Sequence, residues 1–189
     1  MTVTLIAEIS AGAVAEADSV AIGVLVMRVL IGITFAAHGY FKFFKGGKIA
    51  GTARWFDSMR MRPNGTIHAY LAACTELGAG TLLALGFLTP LACAAIVGQM
   101  VVAAYTANRE NGFWSANKGW EYNFVLGVVA VGLATIGPGQ YSIDHVLELS
   151  QSFDPNIGLS VSLFLGVAAG IGIIVGCYRP PAPEPEPES

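Results

Sequence analysis

Apolar residues along the chain gather in long blocks, and polar residues collect between them. The blocks cover about 20–43, 66–88, 90–105, 120–136 and 157–178. Each is near the ~17–25 residues that cross a bilayer as a helix, and each predicts one. Thr89-Pro90 parts the second block from the third with almost no connection, so those two helices are expected as antiparallel neighbours. Pro63-Asn64-Gly65 and Gly137-Pro138-Gly139 are strong stop signals. Between the first two blocks, Arg54 to Met59 reads as a short interfacial helix with Trp55 and Met59 toward the membrane. Ser142 is placed to cap a short amphipathic helix, Ile143 to Leu149.

The ends read differently. Residues 1–19 hold no Lys or Arg, so they lack the positive region of a secretory signal. They are expected to form a short non-cytoplasmic leader that lies on the membrane. The tail, residues 179–189 with the sequence RPPAPEPEPES, is expected to be extended and disordered. The domain reading is a leader (1–19), a four-helix membrane domain (20–149), a linker with a fifth helix (150–178) and the tail (179–189).

Composition agrees with the membrane reading. The chain is 54% hydrophobic and 12% charged, where a soluble domain carries about 25% charged residues. This sets aside a soluble helical core and gives an all-α, polytopic transmembrane bundle. Of the ten Lys and Arg, six lie from Lys42 to Arg62, two in the third connection, and Arg179 follows the last helix; the tenth is Arg28. The positive-inside rule then puts the N-terminus outside and the C-terminus in the cytoplasm, with five crossings. Trp55, Trp114 and Trp120 fall at the inner interface, as an aromatic belt does. Lys42, Lys45 and Lys48 read as topology determinants that also meet anionic lipid. Cys74, Cys93 and Cys177 sit in apolar blocks with no paired spacing and read as buried free thiols.

Charge inside a membrane helix is costly and usually has a reason. Arg28, Gly32, Phe35, Gly39 and Lys42 are spaced by four, three, four and three, which puts them on one face of the first helix. On the predicted topology, His38 lies roughly 8 Å and Glu76 roughly 15 Å inside the basic ends of their helices, at ~1.5 Å per residue. Arg28 sits higher and reaches toward Glu76 or toward a bound anion. The expected polar cluster is Arg28, His38, Glu76 and Glu121, with Tyr40, Gln99 and Asn123 as outer members. Two roles stay open for Arg28 and Glu76: a structural ion pair or a functional site. His38 is a packing histidine or a ligand. A metal on His38, Glu76 and Glu121 would be nonspecific, and none is expected. Gly32 and Gly39 on the first helix, and the pairs Gly166–Gly170 and Gly172–Gly176 on the last, are expected to pack helices closely. No dinucleotide fingerprint, phosphate loop, haem-attachment motif or nucleophile motif is present, and nothing suggests a nucleic-acid partner.

A set of motifs in order resembles the DoxX family of bacterial membrane proteins. They are Arg28-x3-Gly32-x2-Phe35-x2-His38-Gly39-x2-Lys42, then Glu76 with Gly78 and Gly80, and Leu85-Gly86-Phe87-Leu88-Thr89-Pro90. Gly119-Trp120-Glu121 and Gly137-Pro138-Gly139-Gln140-Tyr141-Ser142-Ile143-Asp144 follow, so that the resemblance covers about residues 22–147. It implies a four-helix bundle, to which this chain adds a fifth helix and the acidic tail. It also implies a bacterial plasma-membrane setting linked to quinone-dependent or oxidative-stress systems.

Two function classes follow. The first is a non-catalytic accessory subunit of a respiratory or redox membrane complex, with other membrane subunits and lipid as partners. The second is a quinone- or proton-handling protein that uses the Arg/His/Glu cluster, with a quinone as its one candidate cofactor. A small-solute transporter is disfavoured, because neither a broken helix nor an inverted repeat is evident.

Overall fold

The computed structural model describes residues 2–152 and 154–180, with the backbone alone at 2–13, 15, 151 and 152. Among the described residues seven α-helices follow in order, besides short 3-10 turns: α1 (Thr2–Phe44), α2 (Lys48–Ser58), α3 (Gly65–Leu85), α4 (Thr89–Asn111), α5 (Glu121–Ile136), α6 (Ile143–Val146) and α7 (Pro155–Cys177). The protein is an all-α membrane bundle. Three of the five expected crossings qualify by length and apolar composition alone: Glu16–Phe44 within α1, α4 and α7. α5 is apolar but shorter. α3 has 21 residues, and His68, Glu76 and its threonines lower its apolar character. It packs along α1 nonetheless, and its two most polar side chains, His68 and Glu76, point inward and are buried.

Local chemistry sets the helix ends. The Asn64 side chain accepts from Ile67 N and caps α3, while Gly86 closes it in the left-handed conformation at φ 65°. That geometry favours glycine and ends the helix three residues earlier than the apolar block predicts. Pro90 stands in the first turn of α4 and Pro155 in the first turn of α7, where a missing N–H costs nothing. Asp154 caps α7 by accepting from Asn156 N at 2.5 Å. α4 and α7 each contain one wider turn, at Ala104–Asn108 and Val161–Leu165.

The helices alternate in direction. Gly32 of α1 lies against Gly80 and Ala84 of α3, and Gly39 lies against Ala73 and Leu77, so α1 and α3 run antiparallel with backbones in contact. A Cβ built at Gly32 would stand 2.5 Å from Ala84 N, and one at Gly39 2.5 Å from Leu77 N. Gly80 returns the contact against Ala36. On the other side Gly166 meets Ala94 and Val97, and Gly170 meets Gly98 and Val101, so α4 and α7 run parallel. Gly158 of α7 backs onto the Ala134 carbonyl of α5. The main core lies between these helices around Phe35, Leu83, Cys93, Ile96 and Leu133. A second cluster, with Phe56, Met61, Ala69 and Tyr178, joins α2, α3 and the end of α7. There Arg62 N donates to the Cys177 carbonyl at 2.8 Å. Most of the lysines and arginines fall at this end, called the basic end below.

Several expectations change. α1 is continuous from Thr2 to Phe44, so residues 2–19 prolong the first membrane helix. At ~1.5 Å per residue this helix is about 64 Å long, well beyond a ~30 Å hydrocarbon core. The interfacial helix is longer than Arg54–Met59 and buries Ala53 and Phe56, leaving Trp55 exposed. The amphipathic helix after Ser142 is one turn, Ile143–Val146. Gly172 and Gly176 have no atom of the described residues within 4 Å of a built Cβ, so they pack against none of the described helices. The tail from residue 181 lies outside the described residues.

These contacts separate two kinds of glycine. Gly39→Leu is expected to cost about 1–3 kcal/mol through forced overpacking. Gly172→Ala is expected to stay within about 0.5 kcal/mol. Denaturant titration followed by circular dichroism reads both, and equal losses would contradict the packing described.

Candidate functional site

Two charges on α1, the buried Arg28 and the half-buried Lys42, lie fourteen residues apart in sequence and on one face and are resolved in different ways. Arg28 is 2% exposed. Its Nη1 donates to the Ala84 carbonyl at 2.6 Å and lies 3.5 Å from the Leu83 carbonyl; its Nη2 donates to the Tyr141 carbonyl. Ala84 and Leu83 are in the last turn of α3, where unpaired carbonyls attract a cation. Arg28 Nε has no partner. Asp144 N donates to the carbonyl of Gly86, just past the end of α3, at 2.8 Å. Asp144 is fully buried and caps α4: it accepts from Leu88 N at 2.8 Å, Thr89 N at 2.9 Å and Thr89 Oγ1 at 2.8 Å. Ser142 caps the next turn by accepting from His145 N at 3.1 Å. Arg28 and Asp144 therefore tie the end of α3, the start of α4 and the segment after α5 into one knot.

The expected meeting of Arg28 with Glu76 does not occur. Glu76 lies about five α-helical residues from Thr81 and further still from Ala84, so the Arg28 side chain is already spent on carbonyls nearer its own level. The partner of Glu76 is Lys42, whose Nζ reaches Oε1 at 2.6 Å and Oε2 at 2.5 Å. The side chains are 22% and 8% exposed for Lys42 and Glu76. Gln99 Nε2 of α4 stands 3.4 Å from Glu76 Oε1. This group faces a cavity of about 440 Å³ at the basic end, between α1, α3, α4 and α5 and under α2. His38, Thr75, Thr106 and Asn123 are among its other polar groups, and Phe35, Phe56, Leu71 and Leu126 are among its apolar walls.

The remaining expected members divide. His38, Gln99 and Asn123 line the cavity. Asn123 is buried and its Nδ2 points at Met100 Sδ, 3.8 Å away. Glu121 is absent from it. Its Oε2 accepts instead from Ser115 N at 2.8 Å and Ser115 Oγ at 2.5 Å, which pins the loop before α5. Tyr40 faces outward at 48% exposure and its ring packs on Phe44. His68 also borders the cavity, but its Nε2 donates to the Arg62 carbonyl at 2.7 Å. No group of three or more potential metal ligands exists among the described residues. The sequence reading missed Lys42 as the partner of Glu76. Its signal was present, because Lys42 closes the same-face series that begins at Arg28. Asp144 was missed as well; it is an acid in a segment that lacks basic residues, next to a helix start, Leu88-Thr89, with no cap of its own.

These features define a helical membrane protein with a charged, half-closed cavity at one end. The DoxX family model matches residues 23–109, which run from α1 through α4. Over that stretch the chain is similar to DoxX proteins. An uncharacterized membrane protein of Mycobacterium tuberculosis (strain ATCC 25618 / H37Rv), Rv3486, is 29% identical over 137 residues, 66% of this chain and 81% of that protein. No solved structure matches.

The ion pair itself is testable. Lys42→Met leaves Glu76 buried without its cation and is expected to cost about 3–5 kcal/mol. Adding Glu76→Gln to Lys42→Met is expected to recover most of that loss. A double-mutant cycle on the denaturant midpoint measures it, and simple additivity would show that the two groups do not interact in the folded protein.

Proposed function

We propose that this protein binds the polar head of a lipid-soluble carrier of the quinone class in the cavity at its basic end. The observation that carries the reading is the position of the Lys42–Glu76 pair. A pair that only locked two helices would sit in packed surroundings, whereas this one lines about 440 Å³ of open volume. Polar groups in an otherwise apolar membrane cavity mark substrate or proton paths. Lys42 Nζ and Gln99 Nε2 are donors suited to a quinone carbonyl. Glu76, held beside Lys42, is suited to exchange a proton with a quinol hydroxyl, and His38 stands on the same wall. The aromatic and aliphatic walls suit a flat ring.

An accessory role in a respiratory or redox membrane complex is the second reading, and it is compatible with the first. Gly172 and Gly176 favour it: they form a small-residue pair on α7 that nothing among the described residues covers, which suits a neighbouring helix. The charge distribution supports an orientation with the basic end in the cytoplasm of a bacterial plasma membrane.

A short-tailed quinone titrated into the protein in nanodiscs tests the first reading. Glu76→Gln is expected to weaken binding at least tenfold, about 1.4 kcal/mol, and His38→Ala to weaken it less, with both variants still folded. Unchanged affinity in a folded Glu76→Gln protein would overturn the assignment.

A further inference from the structure

A second concavity lies on the outside of the bundle, between α4, α5 and α7. It holds about 530 Å³ and is walled by apolar side chains, among them Val101, Tyr105, Phe124, Val128 and Leu163. Tyr105, Phe124 and Val128 are 43%, 52% and 54% exposed, so the groove opens sideways. One cation borders it: Arg109, in the last turn of α4. Its guanidinium lies over the Tyr105 ring, 4.3 Å from the centroid, and 5.7 Å from that of Tyr178. The carboxylate beside it is Glu110, 3.9 Å away with its side chain 82% exposed. That contact is too long and too wet to neutralise the charge.

We propose that this groove holds one acyl chain of an anionic phospholipid whose phosphate sits on Arg109. The length fits. From Trp120 to Val131 the wall of α5 rises about 16 Å at ~1.5 Å per residue, close to half of a ~30 Å hydrocarbon core. The chemistry fits as well. An arginine held on aromatic faces at the end of an apolar groove presents its donors toward the interface, and basic pockets between membrane helices bind anionic head groups. Trp120 at the same level is the residue type that lies at head-group depth. Met100 and Asn123 border both this groove and the cavity that holds Lys42 and Glu76. The bound chain would therefore form part of the outer wall of that cavity. The inference goes beyond the quinone reading and does not depend on it.

Trp120 serves as the reporter. In a Trp55→Phe/Trp114→Phe background, its fluorescence is quenched by brominated phosphatidylglycerol or brominated phosphatidylcholine added to neutral vesicles that carry the protein. The anionic lipid is expected to reach half-quenching at a several-fold lower mole fraction. Arg109→Gln is expected to erase that preference, and Lys118→Gln, which removes a nearby cation outside the groove, to leave it. Gly127→Leu, which fills the groove, is expected to reduce quenching by both lipids while the protein keeps its elution volume. Equal quenching by the two lipids in the unaltered groove would overturn the proposal. So would a preference that survives Arg109→Gln, or protection of Trp120 by a long-tailed quinone with no response to the anionic lipid.

Discussion

The structure rests on the backbone contact between α1 and α3. Gly32, Gly39 and Gly80 let two helices approach until a single added carbon would collide with the facing main chain. In a bilayer the hydrophobic effect does not press helices together, so close packing and interhelical hydrogen bonds must do it. The contact also fixes the register of the two helices. With Gly32 opposite Ala84 and Gly39 opposite Leu77, Arg28 falls at the last carbonyls of α3 and Lys42 falls beside Glu76. Both basic side chains of α1 find their partners because of that register.

The two charged groups then serve different ends. Arg28 and Asp144 join parts of the chain that meet away from the basic end, and their polar atoms are spent almost entirely on backbone groups. Asp144 compensates the N–H groups left unpaired at the start of α4, and Arg28 the carbonyls left unpaired at the end of α3. Each is a charge placed at a helix end of opposite partial sign. Lys42 and Glu76 spend themselves on each other and face open volume. Charge satisfied by backbone holds a fold, while charge that faces a cavity remains able to meet a ligand.

Much of the fold was legible in the amino-acid order, because apolar blocks, Thr89-Pro90 and Gly137-Pro138-Gly139 act locally. The same-face series from Arg28 to Lys42 and the small residues within it also pointed to the buried side of α1. What the order did not reveal was pairing. Height arguments placed Glu76 within reach of Arg28, but the choice between Arg28 and Lys42 depends on the α1–α3 register, and that comes from Gly80, which drew notice only as part of a motif. Glu121 looked like a cluster member because it starts α5 at the right level; its carboxylate turned to Ser115, six residues earlier, in a loop whose path no periodicity describes. Gly172 and Gly176 had the same spacing as Gly166 and Gly170 but occupy the other side of α7, and spacing alone does not say which side has a neighbour.

The central claim is that the cavity beside Lys42 and Glu76 receives a lipid-soluble ring while the Arg28–Asp144 knot does not. A quinone analogue that carries a photoreactive diazirine on its ring, activated in membranes that contain the protein, tests this most directly. Peptide mapping of the adducts is predicted to place them on cavity residues such as Leu71, Thr75, Gln99 and Leu126, with competition by unlabelled quinone. Adducts confined to the lipid-facing side chains, or adducts that excess quinone does not suppress, would contradict it.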